Sequence, residues 1–493
     1  MLSIYFITNL LTIFFLFIGI GTLTDKSQKN YLQFKLYTLY ASILMLAQLL
    51  YSVFAIGSLR NVSDFNFFLD ILNFRLNFGF EGFTVIFCFL SALLIFICVI
   101  LVWDKKHFFE QSMCLFLIQL FVVAAFTVKD LFFFYVFFEA IVLPMYVLIT
   151  KYGSRNRKVR AANLLLFYTL VSSALMLIVI GNIYYTFGTT SFEVLLSDDG
   201  LKSLPQQTQN IFWIIFFVSF ATKMPLPPFH TWLPEAHVEA STPGSVLLAG
   251  ILLKLGVYGL IVFCFNMLPS ASFYFSPIIY TASVVGAVYS GVVAIRQQDL
   301  KRIIAYSSVS HMSVVTMGIF SLQTVGLEAG LFQGISHGFI SVALFCLVGF
   351  IYDRFGSRDV QKYSGLARLM PLYAIFLLFF SLANLAMPGF SSFVGEFGLL
   401  FAAFGQSSIA GVVILTTVIF VGGYALLLNN RVLFGDLNKL NLELLRDIES
   451  REVIISAFLG FFVIFFGVYG ELITTLFADD VSQLLAELSR NIR

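Results

Sequence analysis

Four ionisable side chains stand inside long apolar stretches of this sequence: Glu139, Lys223, Lys254 and Glu396. Glu139 lies within the run 132–149, and Lys254 has leucines on both sides. A charged group at the centre of a bilayer costs about 2.5–3.5 kcal/mol on insertion scales, so a residue of this type at that depth indicates a functional site.

The chemistry expected of such a series is proton transfer. A buried lysine tends to lose its proton, and a nearby carboxylate restores the charged form. Moving a carboxylate, or its proton, therefore switches the protonation of the lysine. A series of Glu, Lys, Lys and Glu at one depth across several helices predicts a proton relay along the membrane plane. Two alternatives are a structural ion pair between Glu139 and Lys223, and a Lys254 side chain that extends to the interface.

Two histidines, His311 and His337, lie within further apolar stretches. An imidazole passes a proton between its two nitrogens near neutral pH. A single structural hydrogen bond to a neighbouring helix is an alternative of about equal weight for a membrane histidine. Beside the predicted relay, we favour participation of both rings.

His230 and His237 invite a metal interpretation, which their spacing disfavours. They are seven residues apart with Pro234 between them, so they do not share one face of an unbroken helix. The chain has only five histidines, and it carries no flavin, nucleotide or iron–sulfur motif. We therefore expect neither a metal nor a redox cofactor on this chain.

The composition indicates that the chain is embedded in a lipid bilayer. Of 493 residues, 59% are hydrophobic and 11% are charged, against about 25% charged in soluble domains. A net charge of +2 provides no basic surface for nucleic acid. The five cysteines show no metal-binding or paired spacing and are expected to behave as small hydrophobes. The expected fold class is an all-α polytopic membrane protein with short loops.

The apolar runs predict fourteen membrane helices. Their approximate limits are 2–23, 33–56, 82–103, 111–128, 131–150, 161–187, 210–232, 241–264, 274–295, 303–320, 329–352, 370–402, 407–430 and 453–477. With these limits, 20 of the 29 Lys and Arg residues fall in loops on one side, 6 on the other and 3 within spans. This asymmetry is what the positive-inside rule predicts, and it puts both termini opposite the basic loops.

Two of the predicted spans, the seventh and the twelfth, contain helix breakers in mid-membrane. The segments are 223–228, with three prolines, and 387–390, with Pro388 and Gly389. Because the two spans are five helices apart, they cross the membrane in opposite directions, as inverted repeats with broken helices do. Tolerated proline kinks are the alternative. The expected divisions are N-terminal helices 1–110, a first repeat 111–265, a second repeat 274–430 and a C-terminal helix and tail 431–493.

Several segments resemble the antiporter-like membrane subunits of respiratory complex I. The most specific is 223–259, which reads KMPLPPFHTWLPEAHVEASTPGSVLLAGILLKLGVYG. Four more carry the same likeness: FFYVFFEAIVLPMYVLI around Glu139, KRIIAYSSVSHMSVVTMGIFSL from Lys301, ISHGFISVALFCLVGFIYDR from Ile335, and ANLAMPGFSSFVGEF from Ala383. The resemblance covers about residues 80–430.

The resemblance implies fourteen helices with two inverted five-helix repeats, and it implies a role for each candidate residue. Glu139 matches the essential glutamate, which pairs with the lysine at the first broken helix, here Lys223. The other implied relay residues are Lys254 at the centre, His311 and His337 on the polar axis, and Glu396 at the second broken helix, which connects to a proton exit.

The implied activity is proton translocation across a mitochondrial inner membrane, driven by electron transfer from NADH to ubiquinone in other subunits. NADH, FMN, iron–sulfur clusters and ubiquinone then belong to partner subunits. The implied partners are other membrane-arm subunits, neighbouring antiporter-like subunits among them, and lipid. The 60 phenylalanines also favour an AT-rich organelle genome. Two other functions remain open: a cation/proton antiporter or a subunit of one, and a structural scaffold whose charges only hold helices together.

Overall fold

A computed structural model describes residues 2–22, 28–58, 67–71, 74–80, 82–154, 156–197, 199–436 and 446–490. The described chain is helical almost throughout, with one β-hairpin. The strands β1 (Phe67–Ile71) and β2 (Phe74–Phe78) pair antiparallel, with Phe67 opposite Phe78.

The helices are numbered in chain order. They are α1 (Leu2–Thr22), α2 (Gln28–Ser58), α3 (Gly82–Val102), α4 (Phe108–Thr127), α5 (Leu131–Ala140), α6 (Val142–Tyr152), α7 (Lys158–Phe187), α8 (Phe192–Leu195), α9 (Gln206–Lys223), α10 (Trp232–Glu239), α11 (Thr242–Leu247), α12 (Leu253–Gly259), α13 (Pro269–Arg296), α14 (Leu300–Ile319), α15 (Thr324–Phe355), α16 (Leu366–Leu369), α17 (Pro371–Asn384), α18 (Ser391–Gln406), α19 (Ser408–Leu433), α20 (Ser450–Val468) and α21 (Glu471–Arg490). Short 3₁₀ helices cover Leu201–Ser203 and Val360–Lys362, and π-helical turns cover Leu248–Leu252 and Leu260–Asn266.

The helix lengths and compositions confirm an all-α polytopic membrane protein. Within the described ranges, ten helical segments are long and apolar enough to cross a bilayer, and Leu2–Ile18 and Pro371–Asn384 are shorter apolar helices. Each of the fourteen predicted spans contains helix, although the seventh is interrupted at 224–231 and the twelfth at 385–390. The count of fourteen itself remains a prediction.

The expected last span, 453–477, is wrong at its end. Helix α20 stops at Val468, Tyr469 leaves the helical conformation, and α21 begins as a separate helix at Glu471. Gly470 lies at the interruption, and the acidic residue Glu471, which begins α21, would be costly within the hydrocarbon. The segment expected to be a tail is therefore helical.

The hairpin occupies the connection between α2 and α3, for which the sequence predicted no element. Backbone hydrogen bonds from Gly79 to Thr127 and from Lys129 to Asn77 attach it to the junction of α4 and α5. The hairpin edge is thereby partly paired, which satisfies backbone groups that would otherwise be free.

Both predicted helix breaks are present. Helix α9 ends at Lys223 and α10 begins at Trp232, and the three prolines between them lack the N–H groups that would continue the helix. At the second break α17 ends at Asn384, and Gly389 adopts a φ of +94°, a conformation that favours glycine.

Burial divides the helices into an inner and an outer group. The apolar cores of Thr242–Asn266 and of α15 are wholly buried, whereas α7, α13, α19 and α20 expose apolar faces. In a bilayer these apolar outer faces are suited to contact with lipid. The inner group carries Lys254 and His337, so two of the candidate residues lie on the most enclosed helices.

Candidate functional site

Lys254 is at the centre of the buried polar residues. Its side chain is 1% exposed, and its Nζ donates to the carbonyl oxygen of Ala249 at 2.7 Å. The same Nζ lies 3.1 Å from Nδ1 of His337 on α15. Ala249 lies in the π-helical turn one turn before Lys254, and turns of this kind are frequent at functional sites. The lysine is thus held inside the protein, and among the residues that the structure describes no carboxylate is in direct contact with it.

A second contact connects α14 with α18. His311 Nδ1 lies 2.8 Å from the Glu396 Oε1 atom. Gln333 on α15 donates to the same oxygen at 3.0 Å. The rings of His311 and His337 are 5.8 Å apart between centroids. Lys254, His337, His311 and Glu396 therefore lie in one series across four helices, although the two rings make no hydrogen bond to each other. Their role in a relay stays a prediction.

Glu139 and Lys223 do not meet in the structure. In the described part of the chain neither carboxylate oxygen of Glu139 makes a hydrogen bond, although Ser173 on α7 lies beside it. Lys223 Nζ also has no hydrogen-bond partner there and lies 4.4 Å from the centroid of the Phe138 ring. The two groups are close enough to interact electrostatically, but they form no ion pair within 4.0 Å. The Glu139 and Lys223 side chains are therefore separated in this structure.

The first break and the central lysine are brought together by a close helix contact. A Cβ atom on Gly256 would lie 2.9 Å from Met224 Cβ, from Met224 N and from the Phe220 carbonyl oxygen. Only glycine permits α12 to approach the end of α9 this closely. Since Gly256 follows Lys254 by two residues and Met224 follows Lys223, the contact sets the two lysines on facing segments.

Lys301 was counted among the loop cations, but the structure buries it. It is 3% exposed, and its Nζ donates to the Ala240 carbonyl oxygen at 2.7 Å and to Ser245 Oγ at 2.8 Å. Its position in the first turn of α14, after the cap residue Asp299, was the available signal. Gln333 was also missed, because a lone glutamine in an apolar helix is not distinctive until its partner is known.

The other two histidines considered for metal binding make ring contacts. The His237 ring stacks on Phe345 at 4.4 Å between centroids, and its two nitrogens have no hydrogen-bond partner among the described residues. His230 has its ring edge-on to Tyr289 and Tyr306. Within the ranges that the structure covers, no three His, Cys, Asp or Glu residues are grouped so that they could hold a metal ion.

Comparison with known proteins gives consistent matches. A sequence profile of the family described as NADH:quinone oxidoreductase/Mrp antiporter, transmembrane, matches residues 128–422. NADH-ubiquinone oxidoreductase chain 4 of Marchantia polymorpha is 43% identical over 421 residues, which are 85% of this chain and 84% of that protein. NADH-quinone oxidoreductase subunit M of Rhodobacter capsulatus is 39% identical over 425 residues, 84% of this chain and 83% of the relative.

A solved structure agrees with the sequence matches. A chain of respiratory complex I from Thermus thermophilus, determined with bound NADH, superposes with a TM-score of 0.84 at 25% identity and covers 98% of this chain and 99% of that chain. The range matched by the family profile, residues 128–422, includes both broken helices and the positions of all six candidate residues. The chain therefore belongs to the family of membrane subunits that NADH:quinone oxidoreductases share with Mrp antiporters.

Proposed function

We propose that this chain is a proton-translocating membrane-arm subunit of NADH:ubiquinone oxidoreductase, the counterpart of the chain 4 and subunit M relatives. The observation that carries the proposal is the series Lys254, His337, His311 and Glu396 inside apolar helices, with a close contact at each end and 5.8 Å between the centroids of the two rings. Groups that gain and lose protons are the only chemistry this series offers, so electron transfer takes place in partner subunits. The chain contributes proton movement to their reaction.

In this mechanism Lys254 is the proton store. Its ammonium group donates a proton toward His337 Nδ1, which accepts when that nitrogen is unprotonated. The proton then passes from the His337 ring to His311 and on to the Glu396 carboxylate. Each transfer moves one proton from a donor nitrogen to an acceptor and leaves the donor ready for the next proton. No covalent intermediate is needed.

Glu139 and Lys223 are proposed to control the protonation of Lys254. When the Glu139 carboxylate approaches Lys223, the ion pair stabilises the charge on that lysine. When the pair opens, the unpaired charge of Lys223 repels a proton on the facing Lys254 and favours its release. An electrostatic change in a neighbouring subunit separates Glu139 from Lys223.

The proposed setting is the mitochondrial inner membrane, with the basic loops in the matrix and both termini in the intermembrane space. The apolar outer faces of α7, α13, α19 and α20 fit contacts with lipid and with neighbouring membrane-arm subunits. NADH, FMN, iron–sulfur clusters and ubiquinone are assigned to other subunits. The two repeats are proposed as 111–265 and 274–430, between N-terminal helices 1–110 and C-terminal residues 431–493.

The same family description includes Mrp antiporters, so cation/proton exchange is the second candidate function. The test is gentle solubilisation of the native membrane and separation of its complexes by size. Migration of this chain with a large assembly that oxidises NADH and reduces ubiquinone supports the proposal. Migration without flavin and iron–sulfur centres, together with sodium-dependent proton exchange, supports the antiporter.

A further inference from the structure

The C-terminal end of α10 is held by donors from four other segments of the chain. Carbonyl oxygens at the end of a helix have no partner within that helix, so a buried helix end needs donors from outside. At this end four consecutive carbonyls accept such donors: those of His237, Val238, Glu239 and Ala240. The donors are, in the same order, Ser245 Oγ at 3.3 Å, Arg358 Nη1, the Ser154 backbone N–H at 3.0 Å and Lys301 Nζ at 2.7 Å.

Lys301 also joins this helix end to the span that carries Lys254. Besides its bond to the Ala240 carbonyl oxygen, its Nζ donates to Ser245 Oγ in α11 at 2.8 Å. The Ser245 hydroxyl in turn donates to the His237 carbonyl oxygen, which closes a small network. The buried span that begins with α11 continues through a π-helical turn to Lys254, nine residues after Ser245.

The opposite end of α10 contacts the residue next to Lys223. Trp232, the first residue of α10, is buried, and its indole Nε1 donates to the Thr222 carbonyl oxygen at 2.9 Å. Thr222 directly precedes Lys223, the last residue of α9. Helix α10 therefore connects the surroundings of the two lysines. Because a helix transmits displacement as a rigid element, a shift of its C-terminal end would change the spacing of Lys223 and Lys254.

The surroundings of Lys301 Nζ suit a cation that stays in place. The side chain is 3% exposed, and its two hydrogen-bond partners are uncharged oxygens. The C-terminal end of a helix carries a partial negative charge, which stabilises a cation there. A neutral apolar residue in place of Lys301 would remove both this stabilisation and the donor to the buried Ala240 carbonyl, and a buried carbonyl without a donor is costly.

We propose that Lys301 is a positioning residue for proton transfer. It fixes the C-terminal end of α10 against the span of Lys254, and α10 in turn sets the distance from Lys223 to Lys254. Lys301 carries no translocated proton in this role, because its ammonium group remains bonded to Ala240 and Ser245. The inference rests on the proposed relay function of Lys254.

The first test compares Lys301→Met with Lys301→Arg. Lys301→Met keeps the apolar stem and removes the donors, and we expect proton transfer to slow by about 10²-fold, a loss that a displacement of about 1 Å can cause. The readout is a lower number of protons moved per electron in vesicles that contain the assembled complex. Lys301→Arg should keep most of the unmodified ratio, because a guanidinium group can donate to the same oxygens but cannot give up its proton. A ratio that stays low in Lys301→Arg overturns the proposal.

The matched control is Arg302→Met, at the next position of α14. Arg302 also contacts α10, through an ion pair with Glu235 at 2.5 Å, but the two side chains are 36% and 38% exposed. An ion pair with this exposure contributes little, so the ratio of protons to electrons should stay at the unmodified level. An equal fall in Lys301→Met and Arg302→Met overturns the proposal, because the loss of any cation between α14 and α10 would then have the same effect.

A density map of the Lys301→Met complex separates positioning from proton carriage. We expect the C-terminal end of α10 to be displaced from α11 in this map. An unmoved α10 together with a lowered ratio would mean that Lys301 acts on the proton itself, which overturns the positioning role. If Lys301→Met does not assemble, Ser245→Ala removes the bond from Lys301 to α11, and an unmodified ratio in that variant overturns the proposal.

These outcomes also separate the positioning role from the relay. If Lys254→Met blocks proton movement while Lys301→Met keeps the unmodified ratio, the positioning role is overturned and the relay stands. If Lys301→Met lowers assembly alone, with an unchanged ratio per assembled complex, its hydrogen bonds only stabilise the fold and the proposal is overturned. An unmodified ratio in Lys254→Met contradicts the relay itself.

Discussion

The side-chain nitrogen of Lys254 lies 3.1 Å from Nδ1 of His337, and both residues belong to helical segments whose apolar cores are wholly buried. A lysine in that position has an imidazole and a backbone carbonyl as its direct partners, and no carboxylate from the described residues contacts it. A purely structural charge would be expected to have a counter-charge in contact, because an unpaired ion in an apolar interior is costly. The contact with a histidine instead suits a group that must exchange its proton.

Replacement of Lys254 by methionine keeps the length and apolar stem of the side chain and removes the proton. We expect the complex to assemble and to lose the protons that this chain contributes, with a slowing of proton transfer of at least about 10²-fold, the usual effect of removing a positioned acid or base. The measurement is protons moved per electron in vesicles that contain the purified complex.

The matched control is Lys105→Met, which removes a lysine that is paired with Asp353 at the exposed surface. Its effect on proton movement should be nil, because an exposed ion pair contributes little to stability and lies outside the relay. A Lys254→Met complex with an unmodified ratio of protons to electrons would contradict the proposed function.

The contact between His311 and Glu396 predicts strongly non-additive variants. His311→Phe and Glu396→Gln each remove one side of a 2.8 Å contact, and each should slow proton transfer by about 10²-fold. Because the two groups act in sequence on one proton, the double variant should be no slower than the slower single variant. Effects that multiply in the double variant would show that the residues act independently.

The sequence predicted the parts of this site that depend on local chemistry. Charged residues within apolar runs can be recognised directly in the sequence. Three prolines within six residues break a helix in any context. The π-helical turn before Lys254 was not predictable, because no residue type specifies it. The burial of Lys301 depends on contacts with the carbonyl of Ala240 and with Ser245, which are far away in the sequence.

The open state of the Glu139 and Lys223 pair was likewise beyond sequence reasoning. Their spacing indicates only that two helices carry complementary charges at similar depth. In the structure Lys223 Nζ lies 4.4 Å from the centroid of the Phe138 ring and not against the Glu139 carboxylate, and the position of that ring follows from the packing of α5 on its neighbours. Whether two such side chains touch can be determined only from a three-dimensional structure.

Gly256 offers a test of how closely the first break must approach the central lysine. In Gly256→Ala the new Cβ would meet the Phe220 carbonyl oxygen and the Met224 backbone nitrogen at 2.9 Å, and backbone atoms move aside only with strain. We expect a destabilisation of about 1–3 kcal/mol, typical of overpacking, seen as a lower melting temperature of the purified complex.

Gly181→Ala is the control for that substitution. Gly181 is in the interior of α7, and a Cβ there would meet no atom within 4 Å. Alanine favours the helix over glycine by about 1 kcal/mol, so this variant should keep or slightly raise the melting temperature. Equal losses in both variants would mean that the α9 and α12 contact is not specifically tight.

Glu139→Gln separates a controlling role from a structural one. Because neither oxygen of Glu139 makes a hydrogen bond within the described chain, the amide should fit the same space and the complex should assemble normally. The loss of negative charge removes the attraction that closes the pair with Lys223, so we expect proton movement per electron to fall. Glu193→Gln, on the exposed surface of α8, should leave it unchanged. A structural scaffold predicts the reverse for Glu139→Gln, with reduced assembly and an unmodified ratio in each complex that does assemble.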